Sequence, residues 1–264
     1  MSVTKPLHTL LTEWPEAEVV YDRGWLSLPD GRAGELRVLL TNLDRTALRD
    51  LPVVMFQTGS AERGQDIALA KWFTGLGVAF FAPRTHLLPN RPSYQSPAPL
   101  AVYQHVHHLR RLELDYCRDR LRQDGLFDTS RLCVIGLSEG AVAAATWETS
   151  RPYPRVVLAW SMEDSYFGRD MTFPQDLACP ILNIIGGKDP FFGAEDSLAS
   201  VEQVRGHGAA QLADYPNAKV ILYPGCGHRV CDDAQCQADV VAFVEKHLLQ
   251  NQVINPQNSQ QRTA

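Results

Sequence analysis

Residues 131–145, RLCVIGLSEGAVAAA, are the stretch from which the fold is most readily predicted. An apolar run at 132–135 is followed by G-L-S-E-G around Ser138 and then by the small residues 140–145. This order predicts a buried strand, a tight turn and a closely packed helix. Glycines beside the serine leave room for neighbouring backbone, and the free N–H groups of the helix begin directly after it. The pattern indicates a nucleophilic serine; the alternative is an ordinary strand–helix turn in which Ser138 caps the helix.

The bulk properties of the chain exclude several classes of protein. Its 264 residues suffice for one α/β domain with a substantial core. A formal net charge of -5 argues against a broad nucleic-acid surface. No apolar run is long enough to span a bilayer, and the first residues have no apolar stretch typical of an export signal. We therefore expect a cytoplasmic protein without nucleic-acid or membrane partners; its oligomeric state stays open.

The cysteines and histidines do not predict a metal or cofactor site. With no export signal, we expect the six cysteines to be reduced thiols. Cys226, Cys231 and His228 are close in sequence, but they lack the paired spacing of a zinc site. Three histidines occur on one predicted helix, at 105, 107 and 108, and no two of them are four residues apart. They favour a solvated helix face.

Strands and helices alternate along the chain, which predicts a mostly parallel eight-stranded sheet with helices on both faces. Residues 1–16 are expected to be peripheral, 17–250 to form one domain, and the polar tail 251–264 to be disordered. An antiparallel hairpin, turning at 29–31, is expected to lead into the sheet. The predicted strands are 17–28, 36–41, 52–57, 78–82, 132–135, 155–160, 180–185 and 219–223. Besides the helix at 140–145, the predicted helices are 65–76, 100–123, 198–212 and 233–249.

Two polar residues follow later strands in the order that a serine nucleophile requires. A serine hydroxyl is a weak nucleophile and needs a base together with a group that orients the base. Asp189 follows a strand as G-G-K-D-P, and His228 follows the next strand as P-G-C-G-H. The order Ser138, Asp189, His228 predicts a catalytic triad. Asp164, after the preceding strand, is the alternative acid.

These residues make the chain resemble the α/β-hydrolase superfamily over about residues 36–249. Its short outline is similar to dienelactone-hydrolase-like and prolyl-oligopeptidase-type esterases, and G-x-S-E-G followed by alanine is similar to one esterase branch. The resemblance implies acyl transfer through an acyl-enzyme, with Ser138 as nucleophile, His228 as base and Asp189 orienting it. The chain departs from dienelactone hydrolases proper, which have a cysteine where Ser138 stands. It also has Q-T-G-S at 57–60 where the usual His-Gly of the oxyanion loop occurs.

The resemblance also implies an oxyanion hole made of two backbone N–H groups. One is expected from Glu139, and the other from Ser60 or, second, from Ala61. Because only about twenty residues, 161–179, separate two strands, we expect no large lid. The long proline-rich segment 83–99 is expected to shape specificity. The residues expected to line the substrate pocket are Arg84, His86, Trp160, Met162, Phe191 and Phe192.

The sequence therefore predicts a serine hydrolase that cleaves a small carboxylic ester or lactone and needs no cofactor. A thioesterase, a peptidase or an acyltransferase would use the same triad. A non-catalytic binding protein on the same fold is the alternative from another class, since fold does not determine function.

Overall fold

The computed structural model describes residues 16–61, 65–95, 98–160, 179–192, 208–209 and 211–250. Within them lies an eight-stranded sheet with helices on both faces, as the sequence predicted. The strands are β1 (Trp25–Ser27), β2 (Ala33–Glu35), β3 (Val53–Gln57), β4 (Ala79–Ala82), β5 (Leu132–Leu137), β6 (Arg155–Leu158), β7 (Ile181–Gly186) and β8 (Ala218–Tyr223). The α-helices are α1 (Ala17–Asp22), α2 (Leu36–Leu40), α3 (Gln65–Thr74), α4 (Leu100–Gln123), α5 (Glu139–Thr146) and α6 (Ala234–Val244). A π-helical turn, Glu245–Leu249, extends α6.

The strand order is β2-β1-β4-β3-β5-β6-β7-β8. β1 pairs antiparallel with both β2 and β4, and every other neighbouring pair is parallel. Side chains alternate between the faces: on β3, Val53 and Met55 join one apolar cluster, and Val54 and Phe56 join another. Because the parallel strands end at the same edge of the sheet, the segments after β3, β5, β7 and β8 are brought into one neighbourhood.

The strands predicted at 17–28 and 36–41 are largely wrong, although the hairpin between them is present. Residues Ala17–Asp22 form α1, because Ala17, Val20 and Tyr21 are spaced to bury one helical face. Leu36–Leu40 form α2, in which Leu36 is buried and the half-buried Leu39 and Leu40 pack against the same apolar cluster. The antiparallel pair is therefore limited to three residues in each strand, joined through the predicted turn at 29–31.

The long helix α4 buries a more polar face than the sequence predicted. His105 and His108 are exposed as expected, but His107 is buried and stacks on Tyr103, with 6.3 Å between the ring centroids. The buried face also carries charged residues. Its members are Tyr103, Val106, His107, Arg110, Glu113, Leu114, Tyr116, Cys117, Asp119 and Leu121.

Several predictions lie outside the described residues. They concern the N-terminal segment up to 15, the expected absence of a large lid at 161–178, most of the helix at 198–212 and the tail 251–264. Among the helices that are described, none combines the length and the apolar character needed to cross a bilayer. All six cysteines are described, and each is a free thiol.

Candidate active site

Ser138 lies in a strained turn between β5 and α5. Its backbone has φ 56° and ψ −118°, a conformation that residues with a Cβ rarely adopt. A Cβ on Gly136 would lie 2.2 Å from Gly140 O, and one on Gly140 would lie 2.2 Å from Gln57 O. Both glycines are required because backbone occupies the space of a side chain. This is the packing expected of an elbow that presents a serine.

We expect Gly140→Ala to disrupt this turn. The added methyl group would meet backbone carbonyls of Gln57 and Thr58, which cannot rotate away as a side chain can. We expect a loss of at least about 2 kcal/mol in the free energy of unfolding. Gly75→Ala is the matched control, because nothing lies within 4 Å of its Cβ position. Urea unfolding of both variants measures the effect; similar stabilities would contradict the close packing.

Asp189 and His228 meet beyond the ends of the neighbouring strands β7 and β8. His228 Nδ1 lies 2.7 Å from Asp189 Oδ2. Asp189 is buried, whereas the imidazole of His228 is partly exposed. A carboxylate only accepts hydrogen bonds, so Nδ1 donates to it and Nε2 becomes the basic nitrogen. The pair can therefore hold an oriented imidazole that takes a proton.

Close contact between two loops positions this pair. A Cβ on Gly186 would lie 2.3 Å from the carbonyl oxygens of both Cys226 and Gly227, directly before His228. The N–H of Lys188 donates to Cys226 O over 2.8 Å. The small residues that follow both strands thus allow the acid and the histidine to approach each other.

Phe191 and Phe192 orient the acid and pack against the histidine. Their backbone N–H groups donate to Asp189 Oδ1 over 2.8 and 3.1 Å. The ring of Phe191 lies edge-on to the imidazole of His228, with 4.8 Å between centroids. Phe192 is buried and Phe191 half-buried, so of the two only Phe191 has a substantial exposed surface beside His228.

The loop after β3 lies against Ser138, as a source of oxyanion donors should. A Cβ on Gly59 would be 3.5 Å from Ser138 Cβ. Ser60 and Ala61 follow directly, and both are exposed. The predicted donor from Glu139 belongs to the first residue of α5.

The side chain of Glu139 is the feature that sequence reasoning missed most clearly. It is buried and forms ion pairs with Arg110 over 2.5 Å and with Arg91 over 2.7 Å. Tyr94 also donates a hydrogen bond to it. Burial by itself raises the pKa of this carboxyl, but Arg110 and Arg91 more than offset it and lower the pKa to about 2. Glu139, the residue after Ser138, is thus bound to the proline-rich loop through Arg91 and Tyr94.

Because His107, next to this cluster, is buried, it makes the stability of the fold depend on pH in the acid range. Its pKa falls to about 3, mainly by burial and against the attraction of Glu139. In the unfolded chain the imidazole of His107 binds a proton near pH 6.5, whereas in the folded chain it binds one only near pH 3. Stability conferred by the neutral ring is therefore lost as the pH falls below about 6.5, by about 1.4 kcal/mol per pH unit.

We expect His107→Phe to remove this dependence, because a phenyl ring can stack on Tyr103 without titrating. Between pH 7 and pH 5, the free energy of unfolding of the unsubstituted protein should fall about 2 kcal/mol further than that of the variant. His105→Phe, on the exposed side of α4, is the control and should keep the full dependence. Equal pH slopes for His107→Phe and the unsubstituted protein would contradict the assignment.

The remaining residues predicted to line the substrate pocket lie in different surroundings from one another. His86 is half-buried and hydrogen-bonds the backbone of Gly59, so it contacts the loop beside Ser138; burial lowers its pKa to about 4. Trp160 is buried in an apolar cluster with Phe192. The backbone N–H of Arg84 donates to Val20 O, and its contact with substrate stays a prediction. Met162, like the alternative acid Asp164, lies outside the described residues.

The strand order, the strand directions and the turn at Ser138 define the α/β-hydrolase fold, as the sequence predicted. No protein-family model matches the chain, and no curated protein matches it. Several solved structures, in contrast, match the chain in fold.

They include a candidate dienelactone hydrolase from Klebsiella pneumoniae, with TM-score 0.53 and 17% identity over 76% of this chain and 88% of that one. The Bacillus cereus carboxylesterase has TM-score 0.51 and 18% identity over 75% and 89%. A cold-adapted esterase from an Arctic intertidal metagenomic library has TM-score 0.53 and 13% identity over 75% and 83%. At these identities the likeness is one of fold.

Proposed function

We propose that this protein is a cytoplasmic serine hydrolase that cleaves a small carboxylic ester or lactone through an acyl-enzyme on Ser138. The observation that carries the proposal is the 2.7 Å contact between His228 and the buried Asp189, at the same sheet edge as the strained Ser138. A strained conformation at a serine and a buried carboxylate paired with a histidine both cost stability, and such features are concentrated at functional sites. The esterase neighbours agree with this chemistry.

The proposed reaction begins when Ser138 Oγ attacks the substrate carbonyl. His228 Nε2 takes the hydroxyl proton, and Asp189 stabilises the imidazolium that forms. The tetrahedral intermediate collapses when the protonated imidazole gives its proton to the leaving alkoxide. A water molecule then attacks the acyl-enzyme with His228 again as base, which releases the carboxylic acid and restores Ser138.

The oxyanion of both intermediates would be bound by backbone N–H groups. The N–H of Glu139 begins α5 and adds the positive end of that helix to the hydrogen bond. The second donor would come from Ser60 or Ala61, directly after Gly59, which lies close to Ser138. The negative side chain of Glu139 does not oppose the oxyanion strongly, because Arg110 and Arg91 pair with it.

Labelling with a fluorophosphonate probe tests the proposal. Such a probe forms a stable bond only with an activated serine, so the folded protein should be labelled, and mass spectrometry should locate the adduct on Ser138. A correctly folded protein that stays unlabelled would instead support a non-catalytic binding protein on this fold.

A substrate panel then separates the enzymatic alternatives. Matched ester, thioester and amide substrates with one acyl group should show the highest kcat/KM for the ester. Preference for the thioester or amide would indicate a thioesterase or a peptidase. Formation of a new ester when an alcohol is added would indicate an acyltransferase. The panel should pair a carboxylate-bearing ester with a neutral analogue, because Arg84 and His86 were predicted to line the pocket.

A further inference from the structure

Arg110 contacts the two segments that would supply oxyanion donors, the loop after β3 through backbone carbonyls and Glu139 through its side chain. It lies on α4 and is completely buried. Its Nη1 donates to Thr58 O over 2.7 Å, and its Nη2 donates to Gly59 O over 2.9 Å. The same Nη2 lies 2.5 Å from Glu139 Oε1. One guanidinium group therefore joins the loop after β3 to the residue that follows Ser138.

The contact with Gly59 O determines the direction of the backbone N–H of Ser60. In a trans peptide, the carbonyl of one residue and the N–H of the next lie in one plane and point in opposite directions. Because Gly59 O points to Arg110, the N–H of Ser60 points away from Arg110. His86 hydrogen-bonds the backbone of Gly59 as well, which further restrains this peptide plane. Of the two candidates for the second donor, Ser60 is thus the one whose N–H orientation is held directly.

Neighbouring side chains hold the guanidinium in place. Gln57 Oε1 accepts from Arg110 Nη1 over 3.1 Å, and Gln57 Nε2 donates to Glu113 over 2.7 Å. Glu113 also accepts from Thr85, beyond the end of β4. Burying a charge costs free energy unless the charge is paired and hydrogen-bonded. Nearly all the partners of Arg110 lie close to Ser138, in the loop after β3 or at Glu139.

We propose that Arg110 is a positioning residue of the oxyanion hole, an inference that rests on the proposed hydrolase function. It fixes the peptide plane that carries the N–H of Ser60 and ties this loop to the side chain of Glu139, whose N–H is the other proposed donor. Its positive charge is matched by Glu139, so it acts through geometry and not as a free cation near the substrate. Catalysis requires such donors to be oriented before charge develops, and loss of one donor costs roughly 10²- to 10³-fold in kcat.

Arg110→Lys tests the proposal, because lysine keeps the charge for Glu139 but cannot bond several acceptors in one plane. Arg155→Lys is the matched control. Arg155 is also buried, and it donates to Ala144 O and Ala145 O at the opposite end of α5. If Arg110→Lys does not fold, the double variant Arg110→Met/Glu139→Gln removes both buried charges together and takes its place. Each protein is assayed for kcat, KM and inhibition by a trifluoromethyl ketone, which forms an oxyanion adduct.

We expect Arg110→Lys to lower kcat by about 10- to 100-fold and to weaken the ketone by a similar factor, with KM changed less than about threefold. Arg155→Lys should lower the melting temperature while kcat and ketone affinity change less than about threefold. Unchanged kcat and ketone affinity in Arg110→Lys would overturn the proposal, and so would equal losses in the two variants. Failure of the unsubstituted protein to react with the fluorophosphonate would instead overturn the hydrolase function itself.

Discussion

Ser138→Ala is expected to abolish hydrolysis, with a loss on the order of 10⁶-fold in kcat, as when the nucleophile of a serine protease is removed. Without Oγ no acyl-enzyme can form, while the backbone bond from the N–H of residue 138 to Leu158 O is kept. Steady-state kinetics and fluorophosphonate labelling measure the loss. Ser130→Ala, an exposed serine before β5, is the control and should be fully active. Substantial hydrolysis by Ser138→Ala would show that the nucleophile lies elsewhere.

Ser138→Gly separates the catalytic role of this residue from its conformational strain. Glycine adopts φ 56° and ψ −118° without a Cβ clash. We expect the glycine variant to be as inactive as the alanine variant but more stable by about 1–2 kcal/mol, the scale of such backbone strain. Urea unfolding of the two inactive proteins makes the comparison. If alanine is as stable as glycine at this position, the turn stores no strain.

Asp189→Asn is expected to lower kcat by about 10⁴-fold, as when asparagine replaces the triad aspartate of a serine protease. Asp189 Oδ1 accepts from two backbone N–H groups, so the new amide NH₂ would take the place of Oδ2 and face His228. That amide donates to Nδ1 and holds the wrong tautomer, which leaves Nε2 protonated and unable to act as a base. The fold should be nearly unchanged, because asparagine has the same shape.

Kinetics and labelling rates of Asp189→Asn should be compared with those of two other variants. Asp239→Asn removes a carboxylate that binds Lys219 and Tyr223, away from His228, and should be fully active. Asp164→Asn tests the alternative acid. A larger loss in Asp164→Asn than in Asp189→Asn would reverse the assignment.

The fold could be predicted largely because its central strands are unambiguous in the sequence. Strands such as β3 and β5 are short apolar runs bounded by glycine or polar turns, and both faces of each are buried. The N-terminal region was harder. A cluster such as V-V-Y in α1 fits a strand and a helix equally well over so few residues, and packing decides between them. Residues Leu36–Leu40 present the same ambiguity.

The polar part of the site could be predicted only where it follows a strand. Asp189 and His228 are identified by position, whereas Arg110 and Glu113 lie within a helix whose charged residues suggest a solvated face. An apolar pattern cannot show that a charge is buried, because the partner comes from a distant part of the chain. One signal was available: Glu139 is a carboxylate between glycines and small apolar residues, and a carboxylate there needs a cationic partner.

Gly136, Gly140 and Gly186 lie so close to other backbone that none of them can gain even a methyl group. The turns that hold the proposed triad therefore cannot accept even a small substitution at these glycines. Changes that alter substrate preference have to occur at other positions. Ser60 and Ala61 are exposed directly after Gly59, which lies close to Ser138, and Phe191 is half-exposed beside His228. Random mutagenesis confined to these three positions would explore new specificities while leaving the inherited scaffold intact.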